Sequence, residues 1–182
     1  STASRLSSRP TTLHTAPSHT TTFDALRPAV VPVPNADGIV AAGGGLWIKT
    51  DDGHAVRIDP ATNKVTARVA LDSVADPSSY CQGIGTDGVA VWACATEDEG
   101  TAVAQLDPTD GQVVQRVQVG KKFDQLSIPG TGRGMWVLTG DGENVTLVDP
   151  ATGKTTGFHL GVGCEQLAVR GDRIVATASV AN

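Results

Sequence analysis

Four positions carry the chemistry of first interest in this chain. Asp37, Gln82, Asp124 and Glu165 recur about every 40–45 residues. Each stands two residues before an apolar residue: Ile39, Ile84, Leu126 and Leu167. The positions between them are Gly38, Gly83, Gln125 and Gln166. Carboxylate and amide oxygens drawn from separate segments are the donor set of a hard cation such as Ca²⁺ or Mg²⁺. In that reading Asp37, Asp124 and Glu165 are the acidic ligands. The wider set, with Gln82, Gln125 and Gln166, suits a small polar ligand or a protein surface equally well. A solvated acidic rim has the same composition, because turns attract Asp and its relatives. These readings separate only if the chain brings the four segments to one place.

The elements that would do so are repeated. Gly45-Leu46-Trp47-Ile48 is followed by Arg57-Ile58-Asp59-Pro60-Ala61-Thr62-Asn63-Lys64-Val65. Val89-Ala90-Val91-Trp92 is followed by Gln105-Leu106-Asp107-Pro108-Thr109-Asp110-Gly111-Gln112-Val113. Gly134-Met135-Trp136-Val137 is followed by Leu147-Val148-Asp149-Pro150-Ala151-Thr152-Gly153-Lys154-Thr155. A period near 40–45 residues with several short strands per unit predicts an all-β fold, a β-propeller of four-stranded blades. Blades are expected at about 37–71, 81–120 and 124–161. A fourth combines 164–182 with 22–34, where Thr22-Phe23-Asp24 and Ala29-Val30-Val31-Pro32-Val33 read as a degenerate outer strand pair. Three full blades plus one shared between the termini is one reading. Part of a larger propeller, or a ring of two copies, are the others.

Within a blade the strands run A to D from the channel outward. Strand A then lines the channel, and the D–A and B–C connections share one end of it. The four polar positions converge there, joined by Asp51, Asp52, Glu97, Asp98, Glu99, Asp141 and Glu143 from the B–C turns. Asp59, Asp107 and Asp149 are turn formers: Asp bonds the backbone ahead, Pro presets φ, and Gly or Asn tolerates positive φ. Trp47, Trp92 and Trp136 are expected to pack between neighbouring blades.

The chain has three cysteines. A two-residue turn at Asp87-Gly88 would set Thr86 opposite Val89, Gly83 opposite Trp92 and Cys81 opposite Cys94. That register predicts a Cys81–Cys94 disulfide, and a disulfide implies an oxidising compartment. Cys164 occupies the repeat position of Cys81, with Thr177 or Ala178 where a partner would stand, and is left unpaired.

Composition narrows the classes. Charged residues are 18%, aromatic residues 4% and the net charge is −5, a balance that disfavours nucleic acid as a partner. No 18-residue apolar run predicts a membrane-spanning helix. Residues 1–22 include twelve Ser or Thr and lack apolar periodicity, as expected for a disordered tail or a stalk. The chain begins at Ser1, as a processed or trimmed chain would.

With Gly-x-x-Trp-Val followed by Arg-Ile-Asp-Pro-Ala-Thr-x-Lys-Val, the units resemble the YVTN and Vgb-type propeller repeats over about Asp37–Asn182. That family includes extracytoplasmic binding or surface proteins and the streptogramin lyases. The lyase resemblance implies a channel-facing His, an acid and Mg²⁺. Here His54 falls in a B–C turn, His159 in an outer strand, and His14 and His19 in the tail, so no catalytic residue is assigned. The expected function is an extracytoplasmic, bacterial binding module using the D–A/B–C face. A metal-assisted lyase or hydrolase and a structural assembly repeat, self-associating through open blade edges, are the alternatives.

Overall fold

The computed structural model describes residues 28–72, 81–98, 100–121, 127–139, 142–171 and 173–178. The readings made for residues 1–27, Glu99, Asp124, Gln125 and Asp141 lie outside these residues. Three antiparallel sheets follow one another in strict chain order. The first holds β1 (Ala36–Ala42), β2 (Gly45–Thr50), β3 (His54–Asp59) and β4 (Lys64–Ala70). The second holds β5 (Ile84–Thr86), β6 (Val91–Glu97), β7 (Gly100–Leu106) and β8 (Val113–Gly120). The third holds β9 (Gly130–Thr131), β10 (Gly134–Leu138), β11 (Asn144–Val148) and β12 (Thr155–His159). A hairpin of β13 (Gln166–Arg170) and β14 (Arg173–Thr177) begins a fourth. The chain is an all-β propeller of four-stranded blades.

Local chemistry explains the turns. β1 and β2 meet at Gly43-Gly44, with φ of +54° and +69°, the two positive φ values a tight hairpin needs. In the Asp-Pro turns each aspartate caps the backbone ahead of it. Asp59 Oδ1 accepts from Ala61 N–H (2.9 Å), Asp107 Oδ1 from Thr109 N–H (2.7 Å) and Asp149 Oδ1 from Ala151 N–H (2.9 Å). The positive φ falls at Asn63, Gly111 and Gly153, the same position in all three turns.

The core lies between blades, as one apolar layer per interface. Trp47 and Ala55 pack against Val91, Ala93 and Leu106. Trp92, Cys94 and Val103 pack against Met135, Val137 and Val148. Trp136, Leu138 and Val145 pack against Cys164 and Leu167 of the last hairpin. Each tryptophan therefore reaches toward the following blade, and Trp47 and Trp92 are fully buried.

One expected register is corrected. β5 and β6 pair Thr86 with Val91, Gly85 with Trp92 and Ile84 with Ala93, two residues from the register of a tight Asp87-Gly88 turn. A wider turn prevails because it satisfies more groups. Asp87 Oδ1 accepts from the N–H groups of Val89 and Ala90, both at 2.8 Å, and Asp87 Oδ2 accepts from Trp92 Nε1 at 3.2 Å. The glycine beneath Trp92 is thus Gly85, not Gly83. The Cys81–Cys94 disulfide is present nonetheless, with Cα atoms 5.9 Å apart. It runs diagonally: Cys94 N–H donates to Gly83 O (3.0 Å), and Cys81 N–H to Thr96 Oγ1 (2.8 Å).

Candidate functional site at the channel mouth

The D–A and B–C connections meet at one end of the blades. Leu71 N–H, leaving β4, donates to Gly53 O in the β2–β3 turn at 2.9 Å. Gln82 Nε2, entering β5, donates to Asp51 Oδ1 of the same turn at 2.9 Å. Behind them Lys49 and Asp72 form a buried ion pair at 3.2 Å. Asp72 also accepts the N–H of Thr96, so one carboxylate ties blade one to blade two. Neither residue stood out in the sequence, because a Lys in strand B and an Asp after strand D look individually solvent-facing.

Inside this rim lies a cavity of about 620 Å³. Asp37, Gln82, Glu165 and Gln166 line it together with Gly38, Gly83, Ile39, Ile84, Ile128, Leu138 and Cys164. Equivalent positions of blades one, two and four therefore share one hollow. From blade three the described contributors are Ser127, Ile128, Leu138 and Thr139, since Asp124 and Gln125 fall outside the described residues. Ser127 was not singled out from the sequence. It bridges blades, accepting Leu167 N–H on its hydroxyl at 3.1 Å. Cys164 is buried and unbridged, its thiol directed at Val162 O (3.6 Å).

A second hollow, of about 310 Å³, lies farther along the same strands between Val40, Ile84, Ile128, Pro129, Leu167 and Val169. The passage is thus polar at the D–A/B–C end and apolar beyond it.

The acidic residues of the rim are partly neutralised from within. Arg68 Nη2 donates to Asp52 Oδ2 at 2.5 Å, and Arg116 Nη1 to Glu97 Oε1 at 3.2 Å. Both arginines sit on outermost strands, at matching places in blades one and two. Burial works against ionisation of Asp52, but the Thr50 hydroxyl, His54 and Arg68 outweigh it and hold its carboxyl below the usual range. His54 Nδ1 lies 3.2 Å from Asp52 Oδ1, an imidazole–carboxylate pair in the β2–β3 turn. Neither residue lines the cavity. Among the described residues no three His, Cys, Asp or Glu side chains are grouped to hold a metal ion. A cation at Asp37 and Glu165 would need Asp124 as well.

No family model matches the chain, and no curated protein matches its sequence. Solved structures do match its fold. The chain is similar to hydrazine synthase of Kuenenia stuttgartiensis, at 19% identity and a TM-score of 0.63, over 90% of this chain and 45% of that one. It is similar to virginiamycin B lyase of Staphylococcus aureus, at 18% identity and a TM-score of 0.61, over 80% of this chain and 51% of that one. BamB of Moraxella catarrhalis follows at 15% identity and a TM-score of 0.58, over 77% of this chain and 39% of that one. The chain spans about half the length of the structures it matches. At these identities the likeness is one of fold, and a propeller carries many unrelated activities.

Proposed function

We propose that this chain is an extracytoplasmic propeller module that binds a ligand at the D–A/B–C end of its channel. The observation that carries the reading is the shared cavity, in which Asp37, Gln82, Glu165 and Gln166 come from equivalent places in separate blades. A hollow lined by carboxylates and amides, with apolar Ile39, Ile84 and Ile128 beneath, favours a ligand with an amine or guanidinium head and an apolar body. A Lys- or Arg-bearing peptide meets that description, and a protein partner would present the same groups on a loop. The Cys81–Cys94 bridge supports an oxidising compartment.

The test is calorimetric titration of the chain with short Lys- and Arg-containing peptides and, separately, with Ca²⁺ and Mg²⁺. The paired variant Asp37→Asn with Glu165→Gln should weaken peptide binding at least about tenfold, the effect of one charge-assisted contact. Peptide binding unchanged in the variant would refute the site. A Ca²⁺ response that disappears with Asp124→Asn would instead support the cation reading.

A further inference from the structure

The two hollows adjoin. Ile84, Ser127 and Ile128 line both of them. On one side of that level stand Asp37, Gln82, Glu165 and Gln166. On the other stand Val40, Pro129, Leu167 and Val169, and among the described residues no charged side chain lines this second hollow. Val169 is still 38% exposed there, so apolar surface remains for a ligand to cover. Val169 lies four residues beyond Glu165, about 13 Å along a strand. A ligand reaching from the carboxylates to Val169 therefore has the length of about four extended residues.

Backbone groups at the junction favour a peptide over a plain hydrocarbon tail. β5 lies at the end of its sheet and pairs only with β6. Gly83 turns its carbonyl to β6, accepting Cys94 N–H at 3.0 Å. In an antiparallel ladder alternate residues turn their N–H and C=O to opposite edges. Ile84 therefore turns both groups to the inner edge, where no described strand pairs with it. The matching residues of the next two blades are engaged. The Ile128 carbonyl oxygen abuts Gly85, and Leu167 N–H donates to the Ser127 hydroxyl at 3.1 Å. The edge at Ile84 lacks such a closure, and an extended peptide supplies one.

We propose that the ligand is an extended peptide added along β5. Its Lys or Arg side chain meets Asp37 and Glu165 at the mouth. Its backbone bonds Ile84, and the apolar residues beside the cation fill the second hollow. The site then reads a short motif, one cation flanked on one side by aliphatic residues. This deepens the proposed binding role and rests on it, since the mouth supplies the anchor.

Calorimetry with capped tetrapeptides tests the proposal. The probes are Arg-Val-Val-Val and Arg-Thr-Thr-Thr, and the same pair with Arg last, all acetylated and amidated so that only Arg is charged. Val and Thr share a shape and a preference for strands, so the comparison isolates apolar burial. In one of the two chain directions the Val peptide should bind at least about tenfold tighter than its Thr counterpart. Val40→Thr with Val169→Thr should remove most of that preference and leave the affinity for the Thr peptide unchanged. Val169→Thr alone should remove part of it, with circular dichroism as the check on folding. Of two Val peptides N-methylated at alternate residues, one should lose about fivefold or more and the other little, because one set of N–H groups faces Ile84. Equal binding of Val and Thr peptides, a preference that survives both variants, or an equal effect of the two methylations would overturn the strand-added peptide and leave the mouth standing as a cation site. Thr-peptide binding indifferent to Asp37→Asn with Glu165→Gln would refute the mouth itself. Failure of every peptide to bind would refute both.

Discussion

Trp47 Nε1 on blade one donates to the carbonyl oxygen of Pro108 on blade two, at 3.1 Å. Arg57 Nε donates to the same oxygen, also at 3.1 Å. One interface farther on, Gln115 Nε2 donates to Pro150 O at 2.7 Å. The Asp-Pro turn thus does two things. Its aspartate shapes the turn, and its proline carbonyl receives a side chain from the blade before. Trp47→Phe keeps most of the apolar contact and loses the bond, so it should cost about 1–2 kcal/mol, read as a lower midpoint in urea. Trp47→Ala should cost about 3–5 kcal/mol. A Trp47→Phe variant as stable as the wild type would mean that the hydrogen bond contributes nothing, and equal effects of the two variants that the apolar contact does not.

Gly85 marks the closest approach of blades two and three. A Cβ there would run into the carbonyl oxygen of Ile128, and one at Gly130 into that of Thr86. Backbone cannot yield as a flexible side chain can. Gly85→Ala should destabilise by at least about 2 kcal/mol, whereas Gly132→Ala, with nothing near its Cβ, should stay within about 0.5 kcal/mol. Thermal melts of the two variants side by side check this.

The disulfide closes a short loop, with its cysteines 13 residues apart. Cys81→Ser with Cys94→Ser should lower stability by about 2–3 kcal/mol. Under denaturing, non-reducing conditions a thiol assay should find one free thiol per chain, that of Cys164. Three would mean the bridge is absent.

Two exposed turn aspartates should make the acid limb of stability steeper. The Thr62 hydroxyl and Ala61 N–H hold Asp59 below its ordinary value of 3.8. The N–H groups of Thr152 and Ala151 do the same for Asp149. A carboxyl with a lowered folded value stabilises the fold fully above the ordinary value and loses that contribution as pH falls through the lowered one. Asp59→Asn with Asp149→Asn should therefore flatten the dependence of the melting temperature on pH below about pH 4 and leave its shape at neutral pH alone. An unchanged acid limb would show that these turns do not couple to pH.

Much of this was legible in the sequence because it is local or repeated. The Asp-Pro turns act within a few residues, and the tryptophans and strand A positions announce themselves by recurrence. What escaped depends on choices between nearby turns or on distant partners. A tight Asp-Gly turn and a wider Asp-capped turn both suit Asp87, and the number of N–H groups the carboxylate collects decides between them. The cysteine pair survived that change because a diagonal bridge spans the same distance as a facing one. Ser127 was invisible because its partner sits on another blade, and the Lys49–Asp72 pair because its two halves stand 23 residues apart and meet only when strand D returns past strand B. Arg68 and Arg116 also went unnoticed, and they make the rim less acidic than its composition suggests.

The central claim is that one ligand site draws on several blades at once. Amide hydrogen exchange with and without a bound Lys- or Arg-bearing peptide tests it most directly. The account predicts slower exchange together at Gly38, Gly83 and Gln166, which line the cavity from blades one, two and four. Protection confined to one blade, or to the β2–β3 turn around Asp52 and His54, would contradict it.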